Sequence, residues 1–111
     1  MIINFENTTK KEVENFKGGK GKLIMRSADD GKVKIMRDIL TAGSSIGMHT
    51  HKGNCEVMYI IKGEITFICD GKEETTHAGE VHYCPEGHSH CAENRTEEDA
   101  EFFAIVPETK Q

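Results

Sequence analysis

The sequence has no Cys-x-x-Cys pair, no concentrated run of lysine and arginine, and no long apolar segment. Its cysteines stand singly along the chain, which argues against a zinc ribbon or a thioredoxin-like redox motif. In a reducing compartment they are expected to be free thiols, and each is interpreted as a small buried hydrophobe. These residues are Cys55, Cys69, Cys84 and Cys91.

The balance of charge argues against nucleic acid as a partner. Lysine and arginine total 14 against 19 aspartate and glutamate, a formal net charge of -5, and the acidic residues are scattered. Neutralising phosphates needs a concentrated basic face, which the chain lacks. The N-terminal stretch turns polar after Phe5, so it is neither a secretory signal nor a spanning helix. We therefore predict a cytoplasmic protein with neither a nucleic-acid nor a membrane partner.

Turn signals separate a series of short strands, and helical periodicity is almost absent, so an all-β sandwich or barrel is predicted. The length of 111 residues predicts one domain over residues 1–111, with residues 1–21 as an N-terminal arm. In that arm, residues 1–5 suggest an edge strand, and residues 10–16 suggest either a weak helical turn or an extended segment. The strongest hairpin signal is Asp70-Gly71. The predicted strands are 22–26, 33–40, 65–69, 72–77, 81–84, 89–92 and 101–106.

Two histidines and a glutamate within residues 43–63 have the spacing of metal ligands. Successive side chains of a β-strand alternate between faces, so His49 and His51, at i and i+2, point to the same side. Gly53 supplies a turn that brings Glu56 back on the next strand. These three side chains are therefore candidates to bind one ion.

A second stretch, residues 79–94, supplies a fourth candidate ligand, His90, behind a turn. Together the two stretches resemble the two sequence motifs of the cupin family, and all ten fixed positions match. In the first motif, five, one, four and six residues separate Gly43, His49, His51, Glu56 and Gly63. In the second motif, five, one, two and three residues separate Gly79, Pro85, Gly87, His90 and Asn94. At average residue frequencies such a double match by chance is negligible.

The cupin resemblance implies a small jelly-roll β-barrel, also called a double-stranded β-helix, with a metal ion held inside. The implied ligands are His49, His51, Glu56 and His90. Three imidazoles and one carboxylate, without a thiolate, favour one divalent transition-metal ion, Fe, Mn, Ni, Zn, Co or Cu, over Ca or Mg. Four protein ligands on a six-coordinate ion leave two positions for a substrate or dioxygen, unlike a closed structural zinc site.

Cupins host several functions on one barrel, and two are considered for this chain. The first is a metalloenzyme of the dioxygenase, decarboxylase or isomerase type, acting on a small organic acid, sugar or thiol compound bound at the metal. A decarboxylase or isomerase needs a separate acid or base, for which Glu86, His88 and Cys84 are the candidates near the motifs. The alternative is a non-catalytic, metal-dependent binding or sensor module. The intact ligand set with open positions favours the enzyme.

Arg37 and His88 are candidate substrate-binding residues. If the odd-numbered apolar residues of segment 33–40 line the interior, Arg37 points inward and needs an anion or a carboxylate as partner. The competing register places Met36 and Leu40 inside and Arg37 in water. The segment is apolar on both faces, so the sequence leaves both registers open. His88 lies in the turn before His90, where it is a substrate contact, a hydrogen-bond donor to the site or an exposed residue.

The cupin resemblance also implies a homodimer, since small cupins commonly pair through sheet faces or an exchanged N-terminal strand. The apolar start of the chain, residues 1–3, suits strand addition, and a mobile terminus is the alternative. Strict alternation from Glu56 places Tyr59 on the outer face, where it suits a dimer contact.

Overall fold

Two antiparallel sheets make up most of the chain in the computed structural model, which describes residues 1–109. The last two residues of the predicted domain, Lys110 and Gln111, lie outside the described residues. The strands are β1 (Lys10–Glu14), β2 (Lys22–Asp29), β3 (Val33–Leu40), β4 (Ser45–Thr50), β5 (Glu56–Lys62), β6 (Glu64–Cys69), β7 (Lys72–His77), β8 (Val81–Cys84), β9 (Ser89–Glu93) and β10 (Ala100–Pro107). Short 3-10 helices at Phe5–Asn7 and Phe16–Gly18 flank β1.

The order of the strands is that of a jelly roll. One sheet has six strands in the order β1-β2-β3-β10-β5-β8, and the other has four in the order β4-β9-β6-β7. The last strand, β10, pairs antiparallel with both β3 and β5 inside the larger sheet. The predicted all-β jelly-roll fold is confirmed, as two sheets that do not close into one continuous barrel over residues 1–109.

The apolar core joins the two sheets. It contains Met58 from the six-stranded sheet and Phe67 from the four-stranded sheet, both almost fully buried. Burying a side chain of this size stabilises a fold by about 2 to 3 kcal/mol. Because alternate side chains of a strand share a face, Glu56 at the start of β5 lies on the inner face together with Met58 and Ile60. The core packing therefore also directs Glu56 into the interior.

The predicted hairpin turn connects β6 and β7. Asp70 and Gly71 have φ values of 51° and 79°, both in the left-handed region that a two-residue type I′ turn requires. The turn fixes the pairing of Cys69 with Lys72. On its other side β6 pairs with β9, with Cys69 opposite His90. The hairpin thereby helps to hold the strand that carries the fourth candidate ligand.

The N-terminal arm differs in part from the prediction. The predicted strand at residues 1–5 is wrong, because the chain forms a 3-10 turn over Phe5–Asn7, where Oδ1 of Asn4 accepts a hydrogen bond from the backbone nitrogen of Glu6 at 3.0 Å. Nη1 of Arg26 donates to the carbonyl oxygens of Phe5 at 3.2 Å and Thr8 at 3.1 Å. The extended alternative for residues 10–16 is correct over β1, which pairs with β2. No helix within residues 1–109 is long and apolar enough to cross a lipid bilayer.

Two glycines let the second 3-10 segment lie directly against β4. A Cβ atom on Gly47 would lie 1.9 Å from the carbonyl oxygen of Lys17. A Cβ atom on Gly19 would lie 2.2 Å from the carbonyl oxygen of Ser45. Backbone atoms cannot yield to such contacts without a shift of the whole segment. This close approach occurs two residues before His49, so it also shapes the entry to the candidate site.

Candidate metal centre

Four side chains predicted as ligands meet inside the jelly roll, and they come from both sheets. His49 on β4 lies opposite His90 on the paired strand β9. His51 follows the end of β4, and Glu56 begins β5 in the other sheet. The turn between them contains Gly53, whose φ of 74° lies in the left-handed region that favours glycine.

The ligand atoms of these four residues converge. Nε2 of His90 lies 3.1 Å from Nε2 of His49 and 3.1 Å from Nε2 of His51. Oε1 of Glu56 lies 3.2 Å from Nε2 of both His51 and His90. All four atoms lie within 4.8 Å of one another, and His51, Glu56 and His90 are buried. The group is compact enough for each residue to supply one donor to the same cation.

The other nitrogen of each ring bonds away from the cluster. The Nδ1 contacts are His49 to the carbonyl oxygen of Gly47 at 2.8 Å, His51 to Oδ1 of Asn54 at 2.7 Å, and His90 to Nε2 of His82 at 2.9 Å. A carbonyl oxygen can only accept, so Nδ1 of His49 carries a hydrogen and its Nε2 carries a lone pair. Outer partners of this kind orient histidine rings around metal ions. The arrangement fits a cation at the point where the Nε2 atoms meet.

The electrostatics of the cluster also fit a divalent cation. Burial opposes ionisation of Glu56, but hydrogen bonds from His51 and His90 outweigh it and lower the pKa of the carboxyl to about 2. Burial lowers the pKa of His49, which keeps that ring neutral. The hydrogen bond to Glu56 raises the pKa of His51, so a proton and a cation compete for its Nε2. Imidazole and carboxylate donors suit a transition-metal ion.

A cavity of about 250 Å³ adjoins the four side chains. Its wall combines the cluster with an apolar region that includes Met25, Met36 and Phe102. Lys17 and Lys34 contribute cationic side chains to the same wall. The cavity therefore gives a small molecule access to the candidate ligands and offers it both apolar and charged surface.

Asp38 lies in this cavity and was not among the residues predicted from the sequence. The residue is 2% exposed, and its Oδ1 accepts a hydrogen bond from the backbone nitrogen of Arg26 at 3.4 Å. Burial and the negative charge of Glu56 together raise the pKa of the Asp38 carboxyl to about 7. Asp38 could have been identified from alternation along β3, because it shares a face with Met36 and Leu40 in the register that places Arg37 in water.

Arg37 does not lie in the cavity, so the inward register considered for it is wrong. Met36, Asp38 and Leu40 face the interior, and Arg37 is exposed on the opposite face of β3. Its Nε donates to Oε2 of Glu101 at 2.6 Å. At the surface the guanidinium of Arg37 pairs with a carboxylate and keeps its contact with water. An inward orientation would instead require the loss of that hydration, which costs free energy. Arg37 is therefore removed from the candidate substrate-binding residues.

The structure also places Glu86 and His88 at the surface. Oε1 of Glu86 accepts a hydrogen bond from the hydroxyl of Thr109 at 2.7 Å. His88 pairs through Nδ1 with the carboxylate of Asp70 in the hairpin turn, and both side chains are about half exposed. Within residues 1–109, neither Glu86 nor His88 lines the cavity. Their turn holds them to surface partners, and this is why the predicted catalytic or substrate-contact roles have no geometric support here.

All four cysteines are free thiols. Cys55 and Cys84 are buried, as interpreted from the sequence, whereas Cys69 and Cys91 are half-buried. Cys84, the third catalytic candidate, does not line the cavity among the described residues. Burial raises the pKa of its thiol to about 12, so the thiol stays protonated and is a poor base near neutral pH.

His82 is a second residue that the sequence analysis did not select. It is 1% exposed and faces the interior from β8, with Nε2 bonded to His90 and Nδ1 lying 2.6 Å from Oε1 of Glu74. Burial lowers the pKa of His82, which favours the neutral ring. Alternation along β8 places His82 on the same face as Cys84, and this could be read from the sequence. The contact of His82 with Glu74 could not, because it joins β8 to β7, two strands that do not pair.

Comparisons with known proteins agree with this geometry. A family model described as a cupin domain matches residues 36–106. An oxalate-binding protein of Thermotoga maritima is 35% identical over 112 aligned residues, which cover 96% of this chain and 93% of the relative. The crystal structure of a "predicted oxalate decarboxylase" from Thermotoga maritima has 33% identity and a TM-score of 0.90, covering 97% of this chain and 99% of that chain. An RmlC-like cupin from Shewanella frigidimarina shares the fold at 16% identity, with a TM-score of 0.77 over 96% and 88% of the two chains.

Proposed function

The chain belongs to the cupin family, and we propose that its cluster of three histidines and one glutamate binds a divalent transition-metal ion, on which a small carboxylate binds. The observation that carries the proposal is the convergence of the four ligand atoms within 4.8 Å. Because Nδ1 of each ring bonds elsewhere, the three Nε2 lone pairs and the carboxylate are best satisfied together by one cation. The donor set favours Fe, Mn, Ni, Zn, Co or Cu.

The charges around the cavity support a small anion as the ligand. A divalent ion beside one ionised carboxylate keeps about one positive charge, and Lys17 and Lys34 also line the cavity. Oxalate can bind an ion through two oxygen atoms, which suits the two positions left open by four protein ligands on a six-coordinate ion. The names of the two Thermotoga maritima relatives make oxalate the first compound to test.

Calorimetric titration with oxalate tests this function. The metal-loaded protein is expected to bind oxalate, whereas the metal-free protein and a Glu56→Gln variant are expected to bind it at least about 10-fold more weakly. A His88→Ala variant is the matched control, because His88 lies outside the cavity. Acetate, with one carboxylate, should bind more weakly than oxalate. Equal binding of oxalate with and without metal would overturn the proposal.

Turnover of the bound carboxylate is a second candidate function, and Asp38 favours it. Decarboxylation of oxalate breaks its carbon–carbon bond, releases carbon dioxide and requires one proton on the remaining carbon to give formate. Asp38, with its raised pKa, is a buried carboxylic acid in the cavity that can hold that proton. Formate is expected from the metal-loaded protein but not from an Asp38→Asn variant that still binds oxalate. Oxalate binding without formate release would leave the binding function alone.

We also propose that the chain forms a homodimer through the outer face of β5 and β8. Four large apolar side chains, Tyr59, Ile61, Val81 and Tyr83, are exposed on these paired strands. An apolar patch of this kind is typical of an interaction surface. Sedimentation equilibrium should give twice the mass of one chain, and a Val81→Lys, Tyr83→Lys variant should sediment as one chain. A parent mass of one chain would contradict this assembly.

A cytoplasmic location likewise stays a prediction.

A further inference from the structure

A continuous chain of hydrogen bonds leads from the cluster to the protein surface. Nδ1 of His90 lies 2.9 Å from Nε2 of His82, and Nδ1 of His82 lies 2.6 Å from Oε1 of Glu74. His82 and His90 are fully buried, whereas the Glu74 side chain is about half exposed. The residues lie on β9, β8 and β7, so the chain crosses between the two sheets.

When a cation occupies the cluster and binds Glu56, the Glu74 end of this chain determines where each hydrogen lies. A carboxylate only accepts hydrogen bonds, so Glu74 places the hydrogen of a neutral His82 on Nδ1. Nε2 of His82 then has a lone pair and accepts a hydrogen from Nδ1 of His90. The remaining nitrogen of His90, Nε2, therefore has its lone pair directed at the cluster. The opposite set of tautomers would place a hydrogen on Nε2 of His90, where it would block a cation.

Aromatic packing fixes the plane of the intermediate ring. The rings of Phe67 and His82 stack with their centroids 3.7 Å apart and their planes at 8°. The planes of His82 and His90 differ by 17°. With one face packed on Phe67 and both nitrogens bonded, His82 has little freedom to rotate. Its orientation is therefore imposed by the core as well as by Glu74.

We propose that Glu74 and His82 are positioning residues for the metal centre, which hold His90 in the tautomer and orientation that present Nε2 to the cation. The inference rests on the proposed binding of metal by the cluster. It adds a role for two residues outside the ligand set. The effect passes through His90, and neither residue contacts the cation itself.

Titration of the metal-free protein with Co²⁺, followed by the visible absorption of the bound ion, tests this role. A His82→Phe variant keeps an aromatic ring against Phe67 but removes both hydrogen bonds, and its affinity for Co²⁺ should fall by about 10- to 100-fold. A His82→Gln variant retains an acceptor for Nδ1 of His90 and should recover most of the affinity. Glu74→Ala should weaken binding several-fold. Glu73→Ala is the matched control, because Glu73 bonds to Arg95 instead.

The tautomers themselves provide a readout that is independent of the affinity measurement. Long-range ¹H–¹⁵N spectra of the Zn²⁺-loaded parent should show hydrogen on Nδ1 of both His82 and His90. In Glu74→Ala the hydrogen of His82 should move toward Nε2, a change that a purely structural role would not produce. If His82→Phe does not fold, Glu74→Ala still provides the test because Glu74 is half exposed.

The outcomes separate this inference from the proposed function. A parent that binds no Co²⁺ would overturn metal binding and this inference with it. A parent that binds Co²⁺ while His82→Phe and Glu74→Ala bind it equally well would overturn the positioning role alone. Hydrogen on Nε2 of His82 in the Zn²⁺-loaded parent would also contradict it. Weaker Co²⁺ binding by both variants, together with the tautomer change in Glu74→Ala, is the supporting result.

Discussion

Oε1 of Glu56 lies 3.2 Å from Nε2 of His51 in the interior of the fold. Burial disfavours the charge of Glu56, but hydrogen bonds from His51 and His90 lower the pKa of its carboxyl from 4.5 to about 2. A carboxyl whose pKa is lowered by folding stabilises the fold above its unfolded pKa. That contribution is lost as the pH falls through the folded value. The metal-free protein is therefore expected to lose stability in acid over this interval.

Urea unfolding of the metal-free protein at several pH values measures this effect. We predict that the free energy of unfolding of the parent falls relative to that of a Glu56→Gln variant as the pH drops from about 5 to about 2. The amide that this substitution introduces does not titrate, so the variant lacks this contribution. A Glu86→Gln variant, altered at an exposed turn, is the control and should follow the parent. Parallel curves for the parent and Glu56→Gln would contradict the prediction.

Asp38 should show the opposite dependence on pH. Burial and the nearby charge of Glu56 raise its pKa from 3.8 to about 7. Because folding raises this pKa, the ionisation of Asp38 destabilises the fold progressively from about pH 4 to about pH 7, and no further above it. We predict that metal-free Asp38→Asn is more stable than the parent near pH 8, by on the order of 4 kcal/mol. The difference should almost disappear near pH 4.

The same unfolding experiment tests this prediction. Asp29→Asn is a suitable control because Asp29 is exposed at the end of β2, and its difference from the parent should not grow across this interval. A constant difference between Asp38→Asn and the parent from pH 4 to pH 8 would show that Asp38 does not titrate inside the fold.

Arg37 provides a test of the register of β3. Its ion pair with Glu101 lies on the outer face, with 46% of the Arg37 side chain and 23% of the Glu101 side chain exposed. Exposed pairs contribute about 1 kcal/mol or less. We predict that Arg37→Ala lowers the free energy of unfolding by no more than about that amount and leaves the affinities for Co²⁺ and oxalate unchanged. A large loss of oxalate affinity would contradict the outward orientation.

Gly47 is expected to tolerate no side chain. A Cβ there would lie 1.9 Å from the carbonyl oxygen of Lys17, and the carbonyl of Gly47 itself orients His49. Gly47→Ala should therefore destabilise the fold by about 2 to 4 kcal/mol and weaken binding of metal. Gly43→Ala is the control, since a Cβ at Gly43 meets no atom within 4 Å, and its positive φ should cost only about 1 kcal/mol. Thermal unfolding and Co²⁺ titration measure the two effects, and equal stability of the two variants would contradict the close approach.

The sequence predicted the features that depend on local spacing. Alternation along one strand brings His49 and His51 to the same side, and the turn at Gly53 returns Glu56 to them, so these residues could be grouped without a structure. The Asp70-Gly71 turn was predictable because its positive φ values suit these two residue types. The strand and turn pattern predicted an all-β fold, and the resemblance of the two motifs to those of cupins implied the jelly roll.

Features that depend on packing between strands were not predictable in this way. β3 is apolar on both faces, so periodicity could not decide between Arg37 and Asp38 as the inward residue. The contact of His82 with Glu74 joins β8 and β7, which belong to different sheets. Arg26, which is distant in the sequence, holds the carbonyl oxygens of Phe5 and Thr8. Each of these features includes a contact between segments that are distant in the sequence.

The metal content of the protein, purified without added metal or chelating resin, tests the central claim most directly. Elemental analysis should find about one equivalent of a transition metal per chain of the parent, present at isolation or after reconstitution. A His51→Ala, Glu56→Ala variant should contain almost none, while a His88→Ala control should match the parent. A folded parent that contains no metal and takes up none on reconstitution would contradict the proposed metal centre.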